Sequence, residues 1–486
     1  MQHAVTFVLD GKAVTIDFRN SHLTPTTTLL QYLRTLPQHR GVKEGCAEGD
    51  CGACTVVLAE PAGDGRLRYY SVDSCLLFLP MLHGKQVITV ENLRAPDGTL
   101  HPVQKSMVDL YGSQCGFCTP GIAMSLFELY KNSNGKPDRE EVENHLSGNL
   151  CRCTGYEPIV RAALQACANG GVDHFTYDEQ HVHDMLISIP NLSIELTSPD
   201  QSYFRPSSVS HTLDLLHAHP DALIIAGGTD VALKITKKHE VLSKIVDISG
   251  VRELREVRPD DDLLTIGACC TLSEAASIAG GCLPPLARML RRFGSMQIRN
   301  VATIGGSIGT ASPISDLLPV LMAYRASVIL LSQDAERTVP VEEFVTGYRK
   351  TLRRPGELIA AVVIPGTTGG VVMRSYKVSK RKELDIATVS ACFRLELDDG
   401  IVSDIVLAYG GMSAWTRRAV QTESALLGKP WQRDVVDDAS QLLRNEFAPI
   451  SDARSGAEAR NLMARNLLRL FYHETRNRDV DIRRPS

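Results

Sequence analysis

Eight of the thirteen cysteines fall into two sets of four. The first is Cys46-x4-Cys51-x2-Cys54, with Cys75 twenty residues further on. The second is Cys115-x2-Cys118, followed after thirty-two residues by Cys151-x-Cys153. Four thiolates are what one 2Fe–2S cluster takes, and the x4, x2 spacing with a distant fourth cysteine is an iron–sulfur ligand spacing. Zinc sites pair their ligands as two short hooks, which the x4 gap and single distal cysteine of the first set fit less well. The second set, taken alone, could hold zinc or a cluster. Beside the first it reads as a second cluster, so the chemistry expected is one-electron transfer. Cys167, Cys269, Cys270, Cys282 and Cys392 lie in apolar stretches and read as small buried hydrophobes.

Two glycine-rich segments add a second kind of site. Leu223-Ile224-Ile225-Ala226-Gly227-Gly228-Thr229-Asp230 runs from an apolar strand towards a helix, and Thr303-Ile304-Gly305-Gly306-Ser307 continues to Thr310 and Asp316. Neither is a G-x-G-x-x-G fingerprint and neither sits in an evident βαβ unit. Each alone reads more readily as a tight structural turn. Both are loops that can offer clustered backbone N–H groups to a pyrophosphate. Downstream of two clusters, a flavin nucleotide explains the pair better, because a flavin converts between one- and two-electron chemistry.

Several elements must position these groups. Val5–Leu9 and Ala13–Phe18 around Asp10-Gly11 predict a β-hairpin. A short helix over Thr28–Arg34, the first cysteine loop and a strand over Thr55–Ala59 follow, which together suggest a β-grasp domain. From about residue 102 the pattern turns helical. Thr119-Pro120 reads as a helix start, Asp138 with Glu141 as a capping pattern, and Thr154 with Glu157 as another start, which leaves the second cysteine set in loops at helix ends. Residues 169–195 are polar with weak periodicity and read as a linker. Mixed α/β segments follow, then strands over Val389–Leu397 and Ile401–Tyr409, then helices. The expected fold class is therefore multidomain α+β.

Composition limits the function classes. Hydrophobic content is 43%, charged content 22% and net charge −4, which suits an ordinary globular protein and argues against a nucleic-acid binder. No apolar run approaches the ~18 residues of a membrane span, and no basic-then-apolar leader opens the sequence. Cysteine-rich without an export signal, the chain is expected to be cytoplasmic, in a reducing compartment.

Longer motifs carry a resemblance across almost the whole chain. Gly45–Cys54, Gln114–Gly121, Gly148–Tyr156, Thr310–Asp316, Tyr348–Thr351 and Tyr409–Met412 resemble the molybdenum hydroxylase family, in particular its xanthine dehydrogenases. The resemblance implies a plant-type 2Fe–2S ferredoxin domain over 1–90 and a helical 2Fe–2S domain over 91–168. It further implies an FAD-binding domain of vanillyl-alcohol-oxidase type over 196–370 and a C-terminal flavoprotein domain over 371–486. It places FAD with 223–230 along the ADP portion, Thr303 to Ser307 along the pyrophosphate, Asp316 on the adenosine side, Ile359 and Lys377 along the remainder, and Phe293 near the isoalloxazine. Tyr348 and Asp230 match the NAD site best, while the charged segment 380–385 departs from the animal pattern. The resemblance also implies a molybdopterin-binding partner subunit, assembled as a dimer of heterodimers. Electrons from hypoxanthine or xanthine hydroxylation would pass through both clusters to FAD and NAD, with the helical-domain cluster nearer molybdenum. No general base is assigned to this chain. A sister hydroxylase acting on another N-heterocycle or an aldehyde, a stand-alone NADH-linked reductase and a zinc-bound interaction module are the alternatives.

Overall fold

The computed structural model describes residues 2–476 apart from 134–135, 169–171, 261 and 368. The chain divides into two compact units, Met1–Arg252 with Gly294–Ala302, and Glu253–Phe293 with Thr303–Ser486. This division does not follow the four domains expected from sequence. The stretch expected to bind FAD contributes to both units, and the start of the expected linker (169–171) and the last ten residues lie outside the described residues.

In the first unit, β1 (Ala4–Leu9) and β2 (Lys12–Asp17) form the expected hairpin. Its turn residues Asp10 and Gly11 both have positive φ, 48° and 78°, as a type I′ turn requires. Helix α1 (Leu29–Thr35) starts at Thr28, whose side chain and Gln31 make a reciprocal capping box. Strands β3 (Thr55–Pro61), β4 (Leu67–Asp73) and β5 (Gln86–Ile88) complete a sheet of order β2-β1-β5-β3-β4. β1 and β5 are parallel and the other pairs antiparallel, which is the β-grasp arrangement. Alternation along β3 sends Val56 and Leu58 into one core and Val57 and Ala59 into another. A period-2 strand buried on both faces must be covered on both.

The second cover is helical. α2 (Pro102–Asp109), α3 (Thr119–Asn132), α4 (Arg139–Leu146) and α5 (Glu157–Ala168) pack around Ile122, Leu126, Val142, Ile159 and Ala163. The segment expected as a linker instead holds a fourteen-residue helix, α6 (His174–Ile187). Asp173 caps it, and Phe175, Val182 and Leu186 are buried in the same core. These positions fall at i, i+7 and i+11, three apolar residues in about four turns, too thin a stripe to read as amphipathic. Each contributes about 2 kcal/mol on burial, enough to order a helix of otherwise polar composition.

Four further strands, β6 (Ile194–Ser198), β7 (Gln201–Arg205), β8 (Leu223–Ile225) and β9 (Lys244–Asp247), form a sheet of order β6-β7-β9-β8. β8 and β9 are parallel neighbours joined through the helix Ala232–Thr236, so the first glycine-rich segment does sit in a small βαβ unit. Its strand is three residues long, too short for the sequence pattern to reveal.

Among the described residues the second unit has two larger sheets and a two-stranded hairpin, Val345–Gly347 with Lys350–Thr351. Val257–Asp260, Leu263–Gly267, Leu358–Pro365, Ser327–Leu331 and Glu336–Pro340 form an antiparallel five-stranded sheet. Val372–Val378, Val389–Asp398 and Ile401–Gly410 form an antiparallel sheet whose apolar face packs with the helices Val420–Leu426, Arg433–Glu446 and Ala457–Thr475. Among the described residues no helix is long and apolar enough to cross a membrane.

Candidate functional site: two cysteine quartets and the glycine-rich segments

The first cysteine loop lies between α1 and β3. Positive φ at Ala47, Gly49 and Gly52 coils it tightly, so that the Glu48 and Asp50 amides donate to Cys46 Sγ at 3.4 and 3.2 Å. Cys54 and Cys75 are buried, while Cys46 and Cys51 are partly exposed. The thiols stand in pairs, Cys46 beside Cys51 and Cys54 beside Cys75, and the Cys54 thiol donates to Asp73 Oδ1 at 3.6 Å. The Cys51 contact and those amides draw the Cys46 thiol down to about 6.

The second quartet repeats the arrangement, with Cys118 beside Cys151 and Cys115 beside Cys153. Cys118 immediately precedes α3, so Thr119 and Pro120 are its first two residues rather than cap and first residue. Burial pushes the Cys118 thiol up to about 12. At Cys151 burial also raises the thiol, but the Thr154 hydroxyl at 3.2 Å and nearby amides outweigh it and bring it down to about 7. The Cys151 N–H donates to the Tyr156 hydroxyl at 2.7 Å. Cys115 and Cys153 are exposed.

Among the described residues no three His, Cys, Asp or Glu side chains are placed to hold a single metal ion. A zinc ion needs all four ligands at one centre, whereas a dinuclear iron core takes two thiolates on each iron. Two pairs per quartet therefore fit a 2Fe–2S cluster. The loops of the two quartets touch: the Leu150 N–H donates to the Cys51 carbonyl at 3.0 Å, and the Asn149 amide to the Gly52 carbonyl at 3.1 Å. A Cβ on Gly52 would fall 2.3 Å from the Gly148 carbonyl oxygen, so only glycine fits there.

The glycine-rich segments differ from each other. In the first unit, Leu223–Ile225 form β8 and Ala226–Asp230 the turn after it. A Cβ on Gly227 would fall 1.8 Å from the Val301 carbonyl oxygen. Among the described residues no acceptor takes the Gly227, Gly228 or Thr229 amides, so this turn keeps the donors an anion needs. In the second unit the other segment is not a loop. Thr303 caps a helix over Ile304–Thr310. The amides of Ile304, Gly305, Gly306 and Ser307 already donate to Cys270 O, Ala268 O, Thr303 Oγ1 and Thr303 O. The expected amide cradle there is therefore occupied by protein acceptors. What that helix offers is a face with exposed Gly306 and Gly309 and the Ser307 and Thr310 side chains.

Other residues in the second unit are brought together. Lys377, its side chain 1% exposed, donates to Asp316 Oδ2 at 2.7 Å and to the Arg292 carbonyl at 2.8 Å. Asp316 Oδ1 is buried without a hydrogen-bond partner, and burial raises the carboxyl's pKa despite Lys377. Ile359 is buried with Cδ1 directed at Gly309. Phe293, half-buried, follows the helix Pro284–Arg291. Tyr348, 62% exposed, lies in the turn of the Val345–Thr351 hairpin, and Asp230 is half-buried in the first unit. Taken unit by unit, the free amide turn of the first suits an anionic group, and the orphaned buried carboxylate oxygen of the second suits a hydrogen-bond donor. Sequence reasoning missed Thr154, Tyr156, Asn149 and Gln297 as partners of the cysteine loops. The first three stand inside a motif already noted, but Gln297 carries no signal in sequence.

Comparison with known proteins agrees with this geometry. Family models match residues 7–75 (2Fe-2S iron-sulfur cluster binding domain), 89–164 (2Fe-2S binding domain), 196–367 (FAD binding domain in molybdopterin dehydrogenase) and 374–475 (CO dehydrogenase flavoprotein C-terminal domain). Two 2Fe–2S domains followed by an FAD-binding domain make this an iron–sulfur flavoprotein of electron transfer. Xanthine dehydrogenase/oxidase of Mus musculus is 33% identical over 96% of this chain, and xanthine dehydrogenase of Emericella nidulans 34% over 98%. The chain spans only 38% and 39% of those relatives' lengths. A solved carbon monoxide dehydrogenase chain from Hydrogenophaga pseudoflava matches with TM-score 0.54 and 27% identity, over 57% of this chain and 96% of that one. The chain belongs to the molybdenum hydroxylase family, as its iron–sulfur and flavin part.

Proposed function

We propose that this chain is the electron-transfer part of a xanthine dehydrogenase, accepting electrons from purine hydroxylation at a molybdopterin centre on a partner subunit and delivering them to NAD in the cytoplasm. The observation that carries the reading is that two cysteine quartets with touching loops and an FAD-binding domain occur on one chain, nearly the whole length of which is matched by xanthine dehydrogenases. A separate partner is supported by the solved carbon monoxide dehydrogenase chain, 96% of which is matched by 57% of this one, so that part of the fold occurs there as a chain of its own. When bound, 2Fe–2S clusters supply one-electron transfer and FAD the exchange between one- and two-electron chemistry.

The residues of this chain hold and tune those groups. Cys46, Cys51, Cys54 and Cys75 would hold one cluster and Cys115, Cys118, Cys151 and Cys153 the other. The Glu48 and Asp50 amides and the Thr154 hydroxyl stabilise negative charge on sulfur, which raises a cluster's potential. The free amides of Gly227–Thr229 suit the FAD pyrophosphate. Ser307 and Thr310 would add hydroxyl contacts, Asp316 and Lys377 a buried polar anchor, Ile359 an apolar wall and Phe293 an aromatic one. Tyr348 and Asp230 would meet NAD. The test is an anaerobic titration of the complex copurified with its partner, with metal analysis. Bleaching of cluster and flavin bands by xanthine, reversed by NAD and accompanied by molybdenum, is the expected result. Bleaching by NADH but not xanthine would refute the purine assignment while leaving the cofactors in place.

A further inference from the structure

The segment Gly294–Ala302 lies between residues expected to meet the flavin, Phe293 before it and Thr303 after it, yet it packs in the iron–sulfur unit. Its one-turn helix, Met296–Arg299, is capped by Ser295. Gln297 is fully buried, and its Nε2 donates to Ser125 Oγ and to Asn149 Oδ1, both at 2.9 Å. Ser125 also donates to Asn149 Oδ1 at 2.7 Å, and Asn149 Nδ2 donates to the Gly52 carbonyl at 3.1 Å and Thr55 Oγ1 at 3.2 Å. The Asn149 side chain thus has both acceptor sites and both donors filled, each by a different group. Gly52 stands between the ligands Cys51 and Cys54, and Asn149 stands two residues before Cys151. This network joins the two cysteine loops.

We infer that Gln297 is a positioning residue for the iron–sulfur sites: through Asn149 it fixes the separation of the two cysteine loops, and with it the separation of the clusters they hold. At the Asn149 end every donor and acceptor is filled, which favours one arrangement, while Gln297 Oε1 is buried without a hydrogen-bond partner, so the Gln297 amide is held by its two donated bonds alone. Remove the Gln297 donor and Asn149 Oδ1 keeps only Ser125. The Asn149 side chain is then free to tilt, and the Gly52 carbonyl loses its fixed partner. Geometry at a redox site is held by such outer partners, whose removal commonly weakens metal binding roughly tenfold or more. Asn300, on the same segment, donates to the Ser71 carbonyl at 2.9 Å and to Glu128 Oε1 at 3.2 Å, which anchors the segment to β4 and α3 independently of Gln297. A Gln297 variant therefore keeps the segment docked while losing the brace.

This inference rests on the two-cluster reading, so the test begins with iron and acid-labile sulfide in the whole chain. Gln297→Met keeps the volume and removes its two hydrogen bonds, and Ser125→Ala also removes two but keeps the Gln297–Asn149 bond. The readout is the low-temperature electron paramagnetic resonance of the dithionite-reduced protein, in which magnetic coupling between two reduced clusters depends on their separation and orientation. Both variants are expected to retain both clusters, to show an altered coupling pattern, more so for Gln297→Met, and to release iron to a chelator roughly tenfold more readily. Spectra superimposable on the unaltered protein, with iron retained, overturn the inference. If Gln297→Met does not accumulate as folded protein, Ser125→Ala decides by the same criteria. Absence of iron and sulfide from the unaltered chain overturns the cluster reading itself.

Discussion

Lys377→Met tests whether the Lys377–Asp316 pair is a dry anchor. The substitution keeps the stem's volume and removes the charge that faces Asp316 at 2.7 Å, in a site where the two side chains are 1% and 8% exposed. Without Lys377 the carboxyl must either stay charged, with Arg292 as the remaining nearby cation, or take a proton. From an ordinary pKa of 3.8, protonation at pH 7 costs about 4 kcal/mol, at about 1.36 kcal/mol per unit. Burial already raises the Asp316 pKa, which lowers that cost, so the expected loss is about 3 kcal/mol, at the low end for a broken buried pair. The sign with pH follows. In the variant the folded-state pKa lies above the unfolded value, so the penalty is present at neutral pH and fades as pH falls through the folded pKa. Lys377→Met/Asp316→Leu should recover most of the loss, because a neutral apolar pair leaves no buried charge and Asp316 caps no helix with its side chain. Native-state hydrogen exchange of Val372–Val378 reads the local free energy without assuming that a multidomain chain unfolds in one step. A loss under about 1 kcal/mol with no recovery at acid pH would show that the pair is solvated and refute the argument.

Three further outcomes are expected. Thr154→Val removes the hydroxyl that contacts Cys151 Sγ at 3.2 Å, so the potential of the helical-domain cluster should fall, and a redox titration showing no shift in that centre would contradict the assignment. Gly52→Ala, at φ 67° with a Cβ 2.3 Å from the Gly148 carbonyl oxygen, should lower the iron content of both sites, since the clash lies where the loops meet; full iron occupancy would show that the contact is soft. Asp173→Ala removes a buried carboxylate, leaving His101, Lys131 and the Thr176 amide without that acceptor, and should cost about 3–5 kcal/mol and expose α6 to proteolysis. Although burial opposes it, those partners hold the Asp173 pKa well below the usual range, so its stabilisation is present at neutral pH and lost only in strong acid. Unchanged protease resistance in the variant would mean that α6 is held by its apolar face alone.

Legibility in the sequence followed the range of the forces involved. The hairpin at Asp10-Gly11 and the start of α4 at Asp138 are readable because turn and cap chemistry is local. Both cysteine quartets were readable because thiol spacing is itself the signal. The helix α6 was not, since its stripe is one residue wide, nor was the βαβ around Gly227, since its strand is three residues long. The Thr303 segment was taken as a loop because glycines usually break helices. Here Gly305 is in the helix because its backbone packs against Ala268, where a Cβ would fall 2.5 Å from the Ala268 Cβ. The Asn149–Gln297 bond was out of reach because 148 residues separate its ends.

The nine residues Gly294–Ala302 also bear on how such a protein can be divided. The chain changes unit at 252/253, 293/294 and 302/303, so no single cut yields two polypeptides that each contain one whole unit. Severed near residue 195, the brace on Asn149 would belong to the downstream product and have to be supplied across a subunit boundary. A contact now made at the high effective concentration of one chain would become concentration-dependent. Assembly of the cysteine loops would then depend on docking of the second polypeptide. Continuity of the chain removes that dependence.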